Sequence, residues 1–483
     1  MTSATQQSYE TVIGLEVHLQ FNTESKIFCG CANQFGHPPN TNTCPVCLGL
    51  PGTLPVLNKT ALDYAIKVAL ALHCQINSHI KFDRKNYYYP DLPKGYQISQ
   101  YDYPIGHNGY VEILSGDHLQ KIRVHRAHLE EDAGKLIHDA KNKVSLVDYN
   151  RTGTPLMEIV TEPDIRSAQE AYDYLTALKL LLQYLNVSDC DMEKGSLRCD
   201  ANVSVRPLGE TRLGTKSEIK NLNSFRAVKA ALDYEANRHR TLLSAGQPLV
   251  QETRLWDEHE EVTQSMRSKE QAHDYRYFPE PDLVPFTVSD KNIELIRESL
   301  PEEPLKKFER LQAAYDLAAY DAGILIQNPE LADFFEACAK QLSPGKKICN
   351  WINGPLLQEL NTQKKTAAGI PVSPEQFTDL IRKVEEGAVS HLVGKDILKK
   401  MIQTGQTAQA IIEHDGLTQV SDNAALEAYV NQVITENSTA AQEIQNGKMQ
   451  ALGFLIGQTM KLTQGKANPK IVGDLIKRRL LHG

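Results

Sequence analysis

The sequence has no apolar run long enough to cross a membrane. Polar residues such as Lys67 and His73 interrupt the longest candidates, whereas a membrane-spanning helix needs about 18 or more apolar residues in a row. The first ten residues are polar and contain no arginine, so neither a signal peptide nor a transit peptide is indicated. We therefore expect a cytoplasmic protein without a membrane partner.

Common nucleotide and nucleophile motifs are also missing. The chain has no Gly-x-x-x-x-Gly-Lys-[Ser/Thr] and no Gly-x-Gly-x-x-Gly, which argues against a Walker loop and a Rossmann turn. It has no Gly-x-Ser-x-Gly nucleophile elbow either. Any chemistry is therefore expected to depend on metal ions and cationic side chains.

The chain as a whole does not carry an excess of positive charge. Lysine and arginine number 52 against 60 aspartates and glutamates, so the net charge is −8, which argues against a surface coated for nonspecific nucleic-acid binding. Residues 448–483 are an exception, with seven basic residues and one aspartate. This segment fits either a solvated helix face or a contact with nucleic acid.

Cysteine is sparse, but four of the nine cysteines are grouped. Cys29 and Cys31 form one close pair, and Cys44 and Cys47 form a second pair at the end of the same loop. Two such pairs supply the four thiolates that a tetrahedral zinc ion requires. Buried free thiols or a redox pair are the alternatives. A zinc ion with four protein ligands would be structural, because no coordination position would remain for a substrate.

Alternating apolar and polar residues predict a sheet in the first 290 residues. Strands are expected at 12–20, 109–114, 120–131, 144–149, 156–161 and 196–206. Helices are expected at 58–73, 165–185 and 224–245, and Asn223 or Ser224 could cap the last of them. After about residue 290 the alternation disappears and short amphipathic helices follow.

These patterns predict an α+β fold with three domains. Residues 1–290 would form a mostly antiparallel-sheet domain that includes a zinc knuckle at 29–47. Residues 291–404 would form an all-helical domain, and residues 405–483 a helical tail domain.

The polar faces of the predicted strands carry more ionisable residues than a solvated sheet needs. Glu16 and His18 project side by side from the first strand, and Glu130 and Asp200 lie on the polar faces of two others. Such carboxylates beside cations predict a sheet floor that holds Mg²⁺ and phosphate groups. The neighbouring cations are Lys85, Arg198 and Lys216.

The densest group of charges lies at residues 126–135. If the strand continues through it, period two puts His128, Glu130 and Asp132 on one face and Glu131 on the other. An exposed acidic turn is the simpler interpretation, and alternation alone does not rank Glu130 above Asp132.

Two segments are predicted to be loops. Residues 83–106 combine tyrosines with prolines, glycines and basic residues, a composition that indicates little regular structure. Their tyrosines, interleaved with Arg84, Lys85 and Lys94, could stack a base and hold phosphates, or the rings could pack on one another. Residues 273–282 are expected to form the second loop.

Six segments then match one family: 14–18, 82–87, 128–135, 150–156, 195–202 and 468–470. They closely resemble the B subunits of the bacterial aspartyl/glutamyl-tRNA amidotransferases. The resemblance implies an ATP-dependent carbon–nitrogen ligase that phosphorylates the side-chain carboxylate of misacylated Glu-tRNA(Gln) or Asp-tRNA(Asn). Ammonia would then displace the phosphate.

The resemblance also implies partners. Ammonia would come from glutamine hydrolysed by an amidase-type glutaminase, the A subunit, and a small C subunit would join the two into a heterotrimer. The implied fold is a cradle domain, a helical domain and a tail that contacts the tRNA.

The resemblance implies roles for single residues as well. It assigns four residues to the Mg²⁺ of the phosphorylation site: Glu16, His18, Glu130 and Asp200. It assigns Lys85 and Glu131 to the exit of the ammonia route, where a carboxylate could take a proton from ammonium. It assigns the four grouped cysteines to a zinc knuckle that only some members keep. We further expect Lys85, Arg198 and Lys216 to contact the phosphates of ATP.

Two other functions compete with this one. The tyrosine-rich segment and the basic C-terminal segment would also suit a noncatalytic, zinc-stabilised scaffold that binds tRNA. A free-standing metal hydrolase is disfavoured, because the candidate ligands are mostly oxygen donors suited to Mg²⁺.

Overall fold

The computed structural model describes residues 8–116, 118–139, 141–266, 275–367, 369–417, 423–463, 467 and 469–481. The chain divides into two compact units, Met1–Glu303 and Pro304–Gly483, and each is described by itself. Three predicted features fall partly outside the described residues: 273 and 274 of the second loop, Lys466 of the basic segment, and Asn468 of the last family motif.

The first unit contains all of the described strands. They are β1 (Tyr9–Gln20), β2 (Gln75–Ile76), β3 (His79–Ile80), β4 (Asp83–Asn86), β5 (Tyr96–Ser99), β6 (Gly106–Ser115), β7 (His118–Glu131), β8 (Lys135–Asp139), β9 (Val144–Asp148), β10 (Pro155–Thr161), β11 (Leu197–Pro207), β12 (Ser217–Lys220), β13 (Glu252–Asp257), β14 (Val262–Ser265), β15 (Phe278–Pro279) and β16 (Phe286–Thr287). The predicted strands at 12–20, 120–131, 156–161 and 196–206 correspond to β1, β7, β10 and β11.

Nine of these strands form one sheet, in the order β14-β13-β12-β11-β1-β10-β7-β6-β2. Neighbouring strands are antiparallel except for β12 and β13, which run parallel. The prediction of a mostly antiparallel sheet is confirmed, and β1 lies at its centre.

One face of the sheet is covered by helices. The helices of the first unit are α1 (Lys59–Ala71), α2 (Ala168–Tyr184), α3 (Phe225–Ser244) and α4 (Asp290–Glu298). Ile13, Leu15 and Val17 of β1 share one core with buried residues of these helices. Ser224 caps α3 by accepting a hydrogen bond from the backbone N–H of Ala227, which settles the choice between Asn223 and Ser224. The polar side chains of β1 therefore point to the opposite face of the sheet.

The prediction for residues 83–106 is wrong in part. β4 and β5 lie within this segment, and they form a three-stranded sheet with β15 in the order β15-β4-β5. Pro90, Pro93 and Gly95 lie in the connection between β4 and β5, and Pro104 lies between β5 and β6, so none of them interrupts the paired residues. Pairing with a strand about 190 residues away is a tertiary interaction, which local composition does not report.

The second unit is helical. Its helices are α5 (Pro304–Tyr315), α6 (Ala319–Ile326), α7 (Pro329–Ala339), α8 (Gly345–Trp351), α9 (Leu357–Thr362), α10 (Pro374–Glu385), α11 (His391–Thr404), α12 (Ala408–Asp415), α13 (Asn423–Glu436), α14 (Ser438–Gln445), α15 (Gln450–Leu462) and α16 (Pro469–Leu481). A π-helical turn, Ile352–Leu356, joins α8 to α9. The α+β class is thereby confirmed.

The second unit contains two hydrophobic cores. One is built from residues between Leu311 and Ile412, and the other from residues between Leu426 and Ile476. Helix α4 belongs to the first unit, where Ile293 joins the core beneath the large sheet. The division into domains at 1–290, 291–404 and 405–483 stays a prediction. None of the described helices combines the length and the apolar composition needed to cross a membrane.

Candidate active site on the sheet floor

Three neighbouring strands place ionisable side chains in one row across the sheet. His18 in β1 lies opposite Glu158 in β10, and Glu158 lies opposite His128 in β7. Glu16 and Glu130 flank this row on the same polar face. These five residues are called the carboxylate floor below.

The side chains of the carboxylate floor are in mutual contact. His18 Nε2 lies 3.4 Å from a carboxylate oxygen of Glu158, 3.7 Å from one of Glu16 and 3.9 Å from one of Glu130. His128 Nε2 lies 3.5 Å from Glu130 and 3.6 Å from Glu158. Two overlapping sets could hold a metal ion, because their ligand atoms lie within 4.8 Å of one another: Glu16, His18 and Glu158, and His128, Glu130 and Glu158.

Burial and charge act against each other in the carboxylate floor. Burial alone would lower the pKa of His18, but the hydrogen bond with Glu158 and the charge of Glu130 outweigh it and raise that pKa. Burial likewise opposes ionisation of Glu130 and Glu158, yet nearby histidines and Lys85 hold both pKa values below the usual range. Burial and the charges of Glu158 and Asp200 raise the pKa of Glu16. The floor is therefore an anionic site built to attract cations.

Asp200 lies in the row beside the carboxylate floor. In the register of β1 and β11 it is opposite Glu16, and Lys220 Nζ lies 2.7 Å from its carboxylate. The sequence suggests Lys216 as a cation here, but Lys216 is exposed and immediately precedes β12. It lines a cavity of about 340 Å³ together with Glu16. The ion-pair partner of Asp200 is thus Lys220, and Lys216 stands farther along the floor.

Asp132 and Glu131 lie on opposite sides of the chain at the end of β7, as period two predicts. Asp132 is buried and binds Arg198 at 3.0 Å, Arg151 at 3.4 Å and the side-chain amide of Gln20 at 2.5 Å. The two arginines and the amide keep the pKa of Asp132 low although burial opposes this. Asp132 is therefore engaged in an ion-pair network and does not belong to either group of candidate metal ligands.

Glu131 is buried on the other side. It forms an ion pair with Lys94, and the two side chains are 2% and 7% exposed. The same carboxylate accepts a hydrogen bond of 2.8 Å from the backbone N–H of Ile98. The pair lines a cavity of about 110 Å³ that also reaches Cys29 and Cys47.

The four grouped cysteines converge. The sulfur atoms of Cys29, Cys31, Cys44 and Cys47 all lie within 4.8 Å of one another, so the cluster could bind a metal ion. Lys26, which is fully buried, donates to the backbone oxygen of Asn42 at 2.7 Å, and its Nζ lies 3.7 Å from Cys47 Sγ.

A hydrogen bond from Cys29 and the nearby charge of Lys26 lower the pKa of Cys47 to about 5, although burial opposes this. A low thiol pKa and a buried cation are the setting in which a thiolate ligand is favoured.

Sequence reasoning misses several residues of the site. Glu158 and His128 are not among the predicted site residues, and Lys94 and Lys220 are not assigned to their carboxylate partners. One signal exists for Glu158, which is the single charged residue of the mostly apolar strand 155–161. The register that places it between two histidines is a tertiary feature.

Comparison with known proteins gives a consistent result. A family model described as the GatB/GatE catalytic domain matches residues 11–294, and a second, described as the GatB domain, matches residues 333–480. Three proteins named as the B subunit of aspartyl/glutamyl-tRNA(Asn/Gln) amidotransferase are among the similar ones. Those of Thermoanaerobacter sp. (strain X514) and Carboxydothermus hydrogenoformans are each 52% identical, covering 98% of this chain and 99% of their own length. That of Moorella thermoacetica is 51% identical, covering 98% of this chain and 100% of its own. With the first model matching more than half of the chain and relatives half identical over nearly its full length, the chain belongs to the family of aspartyl/glutamyl-tRNA(Asn/Gln) amidotransferase B subunits.

Proposed function

We propose that the chain carries out the ATP-dependent transamidation of misacylated Glu-tRNA(Gln), of Asp-tRNA(Asn), or of both. The observation that carries the proposal is the carboxylate floor, in which three glutamates and two histidines converge on the polar face of the sheet. The names of the relatives specify both aminoacyl groups and both tRNAs. As one chain of a glutamine-dependent ligase, it would obtain its nitrogen from a partner. No feature of the described site favours the noncatalytic scaffold.

The reaction proceeds in two steps. An oxygen of the substrate's side-chain carboxylate attacks the γ-phosphorus of ATP, and the bond from that phosphorus to the bridging oxygen breaks, so ADP leaves. Ammonia then attacks the carbon of the acyl phosphate, and inorganic phosphate leaves with one of the original carboxylate oxygens. The nitrogen loses its extra proton and the amide remains. In phosphoryl transfer a protein contributes chiefly by positioning the reactants and by stabilising charge.

The donors of the carboxylate floor fit a magnesium ion. Glu16, Glu130 and Glu158 supply carboxylate oxygens, the ligands that Mg²⁺ prefers, with Asp200 in the adjacent row. Bound Mg²⁺ would supply positive charge to the phosphates of ATP. His18, which stays a predicted ligand, lies between the carboxylates and can hold their orientation by hydrogen bonds.

Three cationic side chains around the carboxylate floor are proposed to neutralise the phosphate charge that Mg²⁺ leaves. Lys85 is close enough for Glu130 and Glu158 to raise its pKa against the effect of burial. Arg198 is fixed on one side by Asp132, and Glu130 and Asp200 of the polar face also act on its charge. Lys216 shares a cavity with Glu16.

Glu131 and Lys94 are proposed to border the path by which ammonia reaches the site. A buried carboxylate on the far side of β7 can take a proton from incoming ammonium, and the adjoining cavity gives it room. Lys85, on β4, would stand at the exit toward the carboxylate floor. The ammonia source is an amidase-type A subunit, which forms a heterotrimer with this chain and a small C subunit.

The cysteine cluster is assigned to a structural zinc ion. Around tetrahedral zinc with bonds of about 2.3 Å, sulfur atoms stand about 3.8 Å apart, and the observed grouping within 4.8 Å suits this. The backbone of Gly49, two residues after Cys47, comes so close to Lys94 that a Cβ there would lie 2.3 Å from Lys94 Cγ. Zinc would therefore hold the loop against the Lys94–Glu131 pair.

Removing one cysteine ligand should reduce both zinc binding and stability. We expect Cys47→Ala to lose most of the zinc and to destabilise the first unit by more than about 2 kcal/mol, because loss of a structural metal is among the large single-site effects. The measurements are zinc per chain by elemental analysis and the thermal midpoint by calorimetry. Cys74→Ala, a buried cysteine outside the cluster, should keep its zinc. A Cys47→Ala variant with full zinc content and an unchanged midpoint would contradict the assignment.

The predicted helical tail domain, residues 405–483, is proposed to contact tRNA. Lysines and arginines cluster in residues 448–483, and helix α16 carries Arg478 and Arg479 in its last turn. Phosphate contacts by such side chains position a nucleic acid without reading its sequence. This assignment and the three-domain division belong together, because the tail is the third predicted domain.

The proposal is tested with the reconstituted complex. Glu-tRNA(Gln) and Asp-tRNA(Asn) are supplied separately with ATP, Mg²⁺ and glutamine, or with ammonium chloride in place of glutamine. We expect amide formation and ADP release with at least one of the two tRNAs, and no amide without ATP. Tight tRNA binding with no ATP-dependent amide formation under either nitrogen source would instead favour a scaffold.

A further inference from the structure

Lys85 is held by tyrosine rings. Its Nζ lies 4.9 Å from the ring centroid of Tyr275 and 5.9 Å from that of Tyr87. The two rings meet edge to face, with centroids 5.9 Å apart. The ring of Tyr277 meets that of Tyr275 edge to face, with centroids 6.1 Å apart, and stacks on the ring of Tyr101 at 4.3 Å. A cation at these distances from aromatic faces is attracted by the ring quadrupole.

The chain brings Tyr275 to Lys85 by strand pairing. Asn86, the neighbour of Lys85, donates from its backbone N–H to the oxygen of Tyr275 at 2.9 Å and from its side chain to the oxygen of Arg276 at 2.7 Å. In β15, Phe278 pairs with Arg84. The segment 275–279 therefore lies along β4 and is fixed there by backbone contacts.

Lys85 differs from Lys94 and Lys220, two other half-buried lysines beside the site, because no carboxylate among the described residues forms an ion pair with it. Lys94 is paired with Glu131, and Lys220 with Asp200 and Glu218. Within the described part of the chain, no carboxylate oxygen lies within the 4.0 Å of an ion pair from Lys85. Glu130 and Glu158 act on it only from farther away. A carboxylate in an ion pair would cancel the charge of an ammonium group. Aromatic rings can hold the group in place and leave its charge intact.

We propose that Tyr275 and Tyr87 are positioning residues that hold the Lys85 ammonium beside the carboxylate floor with its charge available to the reacting groups. The inference rests on the proposed function, because in that reaction the Lys85 charge would stabilise an anionic phosphoryl group. Tyr277 contacts the ring of Tyr275 and in turn stacks on Tyr101, so these rings pack as one group.

The test compares Tyr275→Leu with Tyr275→Phe in the reconstituted complex, with ammonium chloride as nitrogen donor. Leu removes the ring, whereas Phe keeps it and removes only the hydroxyl. We expect Tyr275→Leu to lower kcat on the order of ten-fold, in the upper range of cation–π energies, with little change in KM for the tRNA. Tyr275→Phe should stay within about two-fold of the unchanged protein. Equal loss in the two variants, or no loss in Tyr275→Leu, would overturn the proposal.

A second measurement does not depend on activity. The rate at which an acetylating reagent labels Lys85 is followed by mass spectrometry, and it should rise in Tyr275→Leu but not in Tyr275→Phe, because the ring shields the ammonium group. Tyr110→Leu is the matched control, since its ring lies 4.1 Å from Lys121 Nζ outside the site; it should change the labelling of Lys121 and leave that of Lys85 unchanged. Unchanged Lys85 labelling in Tyr275→Leu would refute the positioning role. If the complex that contains the wild-type chain is inactive, the proposed function is contradicted. The labelling result would still test the position of Lys85, because it does not require activity.

Discussion

Replacing Glu158 by glutamine is expected to lower ATP-dependent amide formation by about 10²- to 10³-fold, the scale of losing a group that stabilises charge in the transition state. Glu158 contacts both His18 and His128, and it is the one residue shared by the two candidate groups of metal ligands. The amide keeps the size of the side chain but removes its charge, so the loss should appear in kcat more than in KM for tRNA.

The matched control is Glu162→Gln. Glu162 also contacts a histidine, His125, at 2.9 Å, but that pair is solvent-exposed and outside the carboxylate floor. We expect it to change the rate by less than about two-fold, since exposed pairs contribute little. Glu130→Gln and Asp200→Asn should behave as Glu158→Gln does. Near-normal rates in all three variants would contradict the assignment of the active site to the carboxylate floor.

Replacing Lys94 by methionine should have the largest effect on stability. It leaves the buried carboxylate of Glu131, which also accepts from the backbone N–H of Ile98, without its cation. Breaking a buried ion pair on one side costs about 3 to 5 kcal/mol, so the thermal midpoint of the first unit should fall accordingly. The measurement is calorimetry on the purified complex, repeated for the double variant Lys94→Met/Glu131→Gln.

The double variant separates stability from function. Removing the charge of Glu131 as well should recover much of the lost stability, yet glutamine-dependent amidation should stay low while amidation with high ammonium chloride recovers, if the pair borders the ammonia path. The control is Lys347→Met, which breaks the exposed pair with Glu385 in the second unit and should cost less than about 1 kcal/mol. Parallel losses with both nitrogen sources would argue against a role in ammonia transfer.

Much of this site follows from alternation along single strands. Period two places Glu16 beside His18, and it separates Glu130 from Glu131 at the end of β7. The structure has Glu130 on the floor with the two histidines and Glu131 on the other side with Lys94. Period two holds here because β7 stays paired through Glu131, so the pleat continues to the last residue that matters.

What alternation misses is register between strands. The sequence of β10 alone does not predict that Glu158 lies opposite His18 on one side and His128 on the other. The same limit explains why the sequence favours Lys216 as a cation where Lys220 is the partner of Asp200. Lys216, just before β12, and Lys220, its last residue, have the same parity along the chain, and only the β11–β12 pairing distinguishes them.

The tyrosine-rich segment shows a second limit. Its prolines and glycines indicate a loop, and Pro90, Pro93 and Gly95 do lie in the connection between β4 and β5. The residues on either side nevertheless pair with each other and with β15. Strand β15 lies about 190 residues farther along the chain. The contacts around Lys85 therefore arise from a long-range pairing, and the sequence alone shows only that tyrosines are frequent here.

The central claim is that the chain transfers the γ-phosphoryl group of ATP to the side-chain carboxylate of a misacylated tRNA on the carboxylate floor. The most direct test labels that carboxylate with oxygen-18 and follows the label in the reconstituted complex with ATP and ammonium chloride. We expect one inorganic phosphate carrying one labelled oxygen to be released for each amide formed, and we expect Glu158→Gln to abolish this transfer. Amide formation accompanied by unlabelled phosphate would contradict it.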